Sequence, residues 1–186
     1  DLNGPQVGLD LRRAEIAHER EGLPLTPLAN CVADTQGGIG YLIQQALNNR
    51  LAARGEQKAV TVVTQVEVDK TDPGFPHPTK PIGAFFSDVQ RDDLQRAHPD
   101  WHFVEDSGRG YRRVGASRQP LRIVEADAIK TLTQKGFVVI GAGGGGIPVI
   151  RSENGDYQSV DAVIDKDLST ALLAREIHAD VLVITT

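Results

Sequence analysis

The stretch Gly136-Phe-Val-Val-Ile-Gly-Ala-Gly-Gly-Gly-Gly-Ile-Pro-Val-Ile150 decides the fold, because an apolar run leads into four consecutive glycines and then into a second apolar run. The β-branched residues before the glycines predict a buried strand. Glycines at the end of a strand let backbone N–H groups approach an anion without interference from a Cβ atom. The tract therefore predicts either a phosphate-binding loop or a tight turn between two core strands, and the pattern leaves both open.

Two nucleotide-binding motifs can be tested against this stretch. Gly141, Gly143 and Gly146 match the dinucleotide pattern G-x-G-x-x-G, but such a loop must open a helix. Here Ile147-Pro-Val-Ile150 predicts a second strand, and Glu153-Asn-Gly-Asp156 predicts a hairpin turn. The context therefore argues against a dinucleotide site. The pattern G-x-x-x-x-G-K-[ST] is absent from the sequence, which excludes a P-loop.

Composition limits the class of protein. The 186 residues, 40% of them hydrophobic and 24% charged, predict one globular domain. A net charge of -5 argues against a nucleic-acid or membrane-surface partner. The single cysteine, Cys31, excludes an intrachain disulfide and a cysteine-based zinc site, and it suits a reducing compartment. With no apolar run as long as a membrane span and no signal-peptide pattern, we expect a cytoplasmic protein.

Working outward from the glycine tract, periodicity predicts alternating helices and strands. Apolar spacing predicts one helix from Pro5 to Glu21 and another from about Asp34, as N-cap, to Gly55. A β-branched run predicts a strand from Lys58 to Val68, and Val181 to Thr185 predicts a final strand. Three further helices are expected at Asp88 to Ala97, Ala126 to Gln134 and Asp167 to His178. This alternation favours an α/β fold with a mainly parallel sheet.

Residues 69–113 differ in composition, with clustered prolines, charges and aromatics. So long an excursion predicts a small protruding subdomain beside a core formed by residues 1–68 and 114–186. Lys80 lies between two prolines, which fits either a rigid exposed turn or a lysine aimed inward. The arginines Arg109, Arg112 and Arg113 could contact phosphate or brace the subdomain through ion pairs, and we favour bracing.

The segment from Ser159 to Asp167 combines carboxylates with a single lysine at the predicted start of a helix. Asp165 or Asp167 could simply cap that helix, with Lys166 in solvent. Alternatively, Lys166 offsets charge on a transferring phosphoryl group while Asp167 orients it. His98 and His102 lack a third ligand at metal spacing, so a surface turn is favoured over a zinc site and no metal ligands are assigned.

Six blocks in order make the whole chain resemble the carbamate kinases. They are Asn3-Gly-Pro-Gln-Val-Gly8, Thr35-Gln-Gly-Gly-Ile-Gly-Tyr41, Pro78-Thr-Lys-Pro-Ile-Gly83, Glu105-Asp-Ser-Gly-Arg-Gly-Tyr-Arg112, Gly143-Gly-Gly-Gly-Ile-Pro-Val149 and Val163-Ile-Asp-Lys-Asp167. The sequence most resembles the carbamate kinase-like branch of the amino acid kinase superfamily. The resemblance implies an open α/β/α sandwich, a protruding subdomain and a homodimer. It also implies reversible phosphoryl transfer between carbamoyl phosphate and ADP, with ATP/ADP and Mg²⁺ as cofactors.

The resemblance also implies roles for individual residues. Asn3 and Gly4 would line the carbamoyl phosphate pocket, and Lys80 would reach the phosphate from the subdomain. Lys166 would stabilise the transferring group, Asp167 would organise the catalytic lysines, and Asp165 would face the cofactor. The four glycines of the tract would line the reaction cleft; they are Gly143, Gly144, Gly145 and Gly146.

The sequence also departs from the family pattern. The family's first strand, its Gly-Gly-Asn loop and its later Pro-Lys motif have no counterpart here, which predicts an internal fragment that does not turn over alone. Asp34 and Ala84 replace residues usual in the family. Two alternatives therefore stay open: a non-catalytic homologue that binds carbamoyl phosphate or regulates, and a kinase for another small carbamate or carboxylate.

Overall fold

The computed structural model describes residues 3–56, 58–71, 78, 80–99 and 101–184. Within them the helices are α1 (Gly4–Glu21), α2 (Leu28–Ala52), α3 (Asp88–Ala97), α4 (Ala126–Gln134) and α5 (Lys166–Ile177). The strands are β1 (Ala59–Val62), β2 (Gln65–Val68), β3 (Lys80–Phe86), β4 (His102–Glu105), β5 (Tyr111–Arg118), β6 (Pro120–Ile123), β7 (Val138–Gly141), β8 (Ile147–Arg151), β9 (Tyr157–Ser159) and β10 (Ala162–Ile164).

The centre of the fold is a parallel ladder that the glycine tract interrupts. β1 pairs with β7, and β2 pairs with β8, both in parallel. The register aligns Val62 with Gly141 and Gln65 with Ile147. Two residues on one side, 63–64, therefore oppose the five residues 142–146 on the other. The glycines form a turn that bulges out of the ladder, and we call residues 142–146 the glycine turn.

Helices cover both faces of this ladder, which confirms the predicted α/β architecture. On one face, Val7 and Leu11 of α1 pack with Cys31 and Val32 of α2 and with Ile147. The opposite face is covered by a second cluster, which joins β2, β6 and β10 to α4 and α5. Its buried members are Val66, Val68, Ile123, Ile129, Ile164 and Leu172. Two apolar layers around one sheet are the stable solution for strands buried on both faces.

The segment predicted to protrude contains β3, α3, β4 and the start of β5. β3 and β4 both pair antiparallel with β5, and a reciprocal Ser87–Gln90 capping box begins α3. The second half of β5 pairs in parallel with β10, Ala116 lying opposite Ala162. One continuous strand thus joins this segment to the core, and the division at residue 113 stays a prediction.

The structure corrects three expected boundaries. α2 begins at Leu28 rather than near Asp34, because Leu28, Cys31 and Val32 are buried against α1 and their packing extends the helix. The strand expected from Lys58 to Val68 is interrupted at residues 63–64, opposite the glycine turn. Residues 181–184 form no strand, since no described segment pairs with them, and they are exposed. Residues 185–186 lie outside the described part.

The other elements that the sequence predicted agree with the structure. Helices α3 and α4 have the expected bounds, whereas α1 begins one residue earlier than expected and α5 both begins and ends one residue earlier. The hairpin predicted after the glycine tract is β8–β9, which pairs Arg151 with Tyr157. No helix among the described residues is long and apolar enough to cross a membrane.

Candidate functional site

The glycine turn has a backbone that favours glycine at several points. Gly143 and Gly146 have positive φ values of 61° and 87°, in the left-handed region. Gly145 lies against the Ile164 carbonyl group, so a Cβ atom at position 145 would collide with that backbone. The Gly145 carbonyl accepts a hydrogen bond from Ser169 Oγ at 2.7 Å. The turn is therefore fixed between β10 and α5.

A chain of buried polar side chains supports the other side of the turn. Thr64, fully buried, accepts a hydrogen bond at Oγ1 from the Ala142 N–H at 2.9 Å. Gln36 holds the Thr64 backbone at both ends: its Oε1 accepts from Thr64 N–H at 2.8 Å and its Nε2 donates to Thr64 O at 3.2 Å. Asn3 Nδ2 donates to Thr35 Oγ1 at 3.1 Å. These bonds place Asn3, at the start of α1, close to the glycine turn.

The start of α5 brings together the lysines and carboxylates that the sequence singled out. Asp165 is the N-cap, and its Oδ1 accepts from the N–H groups of Asp167 and Leu168 at 2.9 and 3.4 Å. Its Oδ2 lies 3.3 Å from Lys80 Nζ, which reaches across from β3. Lys166 Nζ donates to Asp167 Oδ1 at 2.8 Å.

These contacts shift the pKa values of Asp165 and Lys166. Burial disfavours the charged form of Asp165, but the Asp167 N–H and the Lys80 charge outweigh it, and the pKa of Asp165 falls below its usual value. The hydrogen bond to Asp167 raises the pKa of Lys166. Lys166 is thus held as a cation beside a carboxylate.

A cavity of about 710 Å³ lies between α1, β3, β10 and the glycine turn. Of the predicted site residues, it is lined by Asn3, Gly4, Lys80, Gly145 and Gly146. Gly143, Gly144, Asp165, Lys166 and Asp167 are not among its lining residues. Lys80 connects the two groups, because it lines the cavity and also pairs with Asp165. The roles assigned to these residues stay predictions.

Sequence reasoning missed or left open four residues at the opposite end of the cavity from Lys80. They are Arg12, Phe85, Arg109 and Arg112. Arg12 lies in α1, which the sequence predicted from apolar spacing alone. Arg109 and Arg112 both donate to Asp106, at 3.4 and 3.3 Å, as bracing requires. Their alternation with acids signalled these ion pairs, but nothing local indicated that they line a cavity.

Other residues weighed in the sequence lie outside this cavity. Arg113 pairs with Asp161 at 2.8 Å and lies over the Trp101 ring. His98 stacks on Trp101, with ring centroids 4.1 Å apart. In the described ranges, no three His, Cys, Asp or Glu side chains form a group that could hold a metal ion. Burial raises the pKa of the Cys31 thiol to about 11, which leaves it a poor nucleophile.

Comparisons with known proteins point to one family, although no family model matches the chain. The chain is 86% identical over 184 residues to the carbamate kinase-like protein YahI of Escherichia coli strain K12, a match that covers 99% of this chain and 58% of that protein. It is 48% identical over 185 residues to a carbamate kinase of Staphylococcus epidermidis, with 99% and 59% covered. The chain thus spans about three fifths of the length of the curated relatives it matches.

Solved structures agree with this result. A carbamate kinase from Giardia lamblia modified by disulfiram matches with a TM-score of 0.85 and 46% identity, over 96% of this chain and 57% of that one. The same enzyme bound to AMP-PNP matches with a TM-score of 0.83 and 46% identity, over 96% and 56%. The predicted amino acid kinase fold is therefore confirmed for the region compared.

Proposed function

Because this chain is homologous to the carbamate kinases over nearly its whole length, we propose that its protein is a carbamate kinase-like phosphotransferase. The reaction is reversible transfer of a phosphoryl group between carbamoyl phosphate and ADP, which gives ATP and carbamate. One observation carries the proposal: Lys80 lines the same cavity as Asn3 and the glycine turn, and it also pairs with Asp165, the residue before Lys166.

In the acceptor part of the site, Asn3 and Gly4 bind carbamoyl phosphate at the start of α1. The first N–H groups of a helix have no partner within the helix, and they favour an anion. Lys80 supplies a positive charge from the opposite wall of the cavity. Gly145 and Gly146 bring the backbone of the glycine turn to the wall of the cavity, and Gly143 and Gly144 belong to the same turn.

In the transfer part of the site, Lys166 stabilises the negative charge of the group in transit, and Asp167 holds Lys166 in place. Phosphoryl transfer depends on positioning and on cations already in place, more than on covalent chemistry. The bond of 2.8 Å between Lys166 and Asp167 supports this assignment. Asp165 positions Lys80 in the same way, through the ion pair at 3.3 Å.

We further propose ATP/ADP and Mg²⁺ as cofactors. The nucleotide supplies or accepts the phosphoryl group, and Mg²⁺ screens the phosphates; a relative has been solved with AMP-PNP bound. Mg²⁺ in such enzymes takes one or two carboxylates together with substrate phosphates. Asp165 and Asp167 are half-exposed carboxylates at the start of α5, but each already pairs with a lysine, so we assign no Mg²⁺ ligand among the described residues.

We also propose that the protein is a cytoplasmic homodimer. The free, buried Cys31 suits a reducing compartment. Tyr41 and Leu42 on α2 are more than half exposed, as is consistent with a subunit interface on that helix. Sedimentation of the full-length protein tests the assembly.

The activity is tested by coupled detection of ATP formed from carbamoyl phosphate and ADP, with the full-length protein. We expect saturable turnover, and Lys166→Ala should lower kcat/KM by about 100-fold, the usual effect of removing one charge-stabilising donor. Lys135→Ala removes an exposed lysine at the end of α4 and serves as the control.

Calorimetry with carbamoyl phosphate distinguishes the remaining outcomes. Binding without turnover would contradict the kinase proposal and favour a regulatory homologue. Turnover that Lys166→Ala leaves within threefold of wild type would remove Lys166 from the proposed site.

A further inference from the structure

The backbone N–H groups of the glycine turn can be accounted for one by one. Most of them donate to oxygen acceptors within the fold, at 2.5–3.1 Å; they belong to Ala142, Gly143, Gly144 and Gly146. The N–H of Gly145 has no acceptor among the described residues. A backbone N–H without a partner in the protein is left to water or to a ligand. The turn thus keeps one donor in reserve.

This open N–H belongs to a residue at the wall of the cavity. Gly145 lines the cavity together with Lys80, whose ammonium group supplies a positive charge. An N–H dipole and an ammonium group in one cavity favour an anion, and the absence of a Cβ atom at Gly145 lets the anion approach the backbone. The cavity therefore offers a phosphate both a charge and a backbone donor.

The carbonyl group of Gly145 is held from the side of α5 by Ser169. This serine is 1% exposed, and its Oγ donates to Gly145 O at 2.7 Å. Ser169 is not among the residues that line the cavity. Serine and threonine hydroxyls in helices commonly bond to a carbonyl of the preceding turn, as Thr170 does with Lys166 O at 2.6 Å. The Ser169 hydroxyl instead leaves its own helix and bonds to the glycine turn.

A second contact limits the movement of Gly145. Its backbone packs against the carbonyl group of Ile164, the last residue of β10. Ile164 directly precedes Asp165, the N-cap of α5. The N–H of Ser169 donates to Asp165 O at 3.0 Å, which places the serine in the first turns of the same helix. Gly145 is thus fixed relative to the helix start that carries Lys166.

We propose that Ser169 is a positioning residue for the phosphotransferase function proposed above, on which this inference rests. By holding the Gly145 carbonyl, Ser169 keeps the open Gly145 N–H at the cavity wall. There the N–H donates a hydrogen bond to a phosphate oxygen of carbamoyl phosphate. Ser169 does not touch the substrate, and it also keeps the turn at a set distance from Lys166.

Steady-state kinetics of the full-length protein test this role through Ser169→Ala. Alanine is slightly smaller than serine and is a better helix former, so the variant should fold. We expect the KM for carbamoyl phosphate to rise at least about fivefold, since a hydrogen bond to a charged group commonly contributes that much. The KM for ADP should stay within about twofold of wild type, because the lost bond supports only the carbamoyl phosphate side.

Thr131→Ala is the matched control, because it also removes one helical hydroxyl. That hydroxyl donates to Asp127 O within α4, at 2.8 Å, and it does not contact the glycine turn. Both KM values and kcat should match wild type in this variant. A variant that is only less stable would lose active protein, and would therefore lower kcat without changing either KM.

Hydrogen exchange of the Gly145 amide, resolved by fragmentation in the mass spectrometer, measures the proposed bond directly. Carbamoyl phosphate at a concentration that saturates wild type should slow this exchange at least about fivefold, and less than about twofold in Ser169→Ala. Exchange reports binding without turnover, so it tests the inference even if the wild type forms no ATP.

Two results would overturn the positioning role. One is a Ser169→Ala variant in which both KM values are unchanged, whether or not kcat falls. The other is a Gly145 amide whose exchange in wild type does not respond to carbamoyl phosphate. If the wild type forms ATP in either case, the kinase proposal survives and only the role of Ser169 is rejected.

Discussion

Gln36 is expected to be a main support of the glycine turn, and replacing it with leucine tests this directly. The side chain is 97% buried and makes two hydrogen bonds to the backbone of Thr64. Leucine has a similar volume, so Gln36→Leu removes the hydrogen bonds without opening a large cavity. Thr64 O still accepts from the Ile147 N–H at 2.9 Å, whereas among the described residues no other bond replaces the one at Thr64 N–H.

The cost can be estimated from these contacts. A buried N–H group left without a partner costs about 1–3 kcal/mol, and the second lost hydrogen bond adds about 1 kcal/mol. We therefore expect Gln36→Leu to lower the free energy of unfolding by about 2–4 kcal/mol. Urea unfolding followed by circular dichroism gives this value, if the slope with urea concentration is unchanged.

Gln45→Leu is the control, since Gln45 lies on the same helix but donates to Tyr41 Oη on the exposed surface. Its effect should be under about 0.5 kcal/mol. Thr64 also holds the Ala142 N–H, so amide exchange at Ala142 should accelerate in Gln36→Leu. If that variant unfolds within about 0.5 kcal/mol of wild type with unchanged exchange, Gln36 does not support the turn.

Three further predictions concern single residues. Gly145→Ala should abolish activity and lower stability by about 2–4 kcal/mol, because the new methyl group meets the Ile164 backbone, which cannot rotate away; thermal unfolding that matches wild type would contradict this. Cys31, whose pKa is raised to about 11, should resist iodoacetamide at pH 8 in the native protein and react in urea, as measured by peptide mass spectrometry; native labelling at the unfolded rate would show that the thiol is not buried. Asp165→Asn keeps the helix cap but loses the charge beside Lys80, so it should destabilise by under about 1 kcal/mol at this partly exposed site. The pKa of Asp165 is lowered in the folded state, so its stabilising effect is present above the usual carboxyl pKa and is lost as the pH falls through the folded value; a urea-midpoint difference that persists undiminished at pH 2 would refute the charge pairing.

Some of this architecture could be predicted because the signals are local. The spacing in residues 126–134 defines α4, and Glu153-Asn-Gly-Asp156 defines the hairpin between β8 and β9. The start of α2 could not be located in this way, because Leu28 joins the helix through packing against α1. The break at Thr64 was equally invisible, since strand propensity is continuous across Lys58 to Val68 and only the opposing glycine turn forces the interruption.

The residues of the candidate site could also be predicted only in part from the sequence. Asn3, Lys80, Lys166 and the glycine tract were selected by motif, and the structure brings Asn3, Lys80 and part of the tract to one cavity. Arg12 carried no such signal, because its spacing in α1 is that of any solvated helical face. Its place in the cavity depends on how α1 crosses β3, a contact between residues about 75 positions apart.

The sequence by itself determined the helices, the strands on either side of the glycine tract and the family that the chain resembles, since periodicity, caps and turns act over a few residues. Only the tertiary structure decided that the four glycines bulge out of a parallel ladder and that Thr64 and Gln36 hold them there. It alone also set three arginines at the far end of the cavity. These features depend on strand register and on burial between distant segments, and no local pattern encodes either.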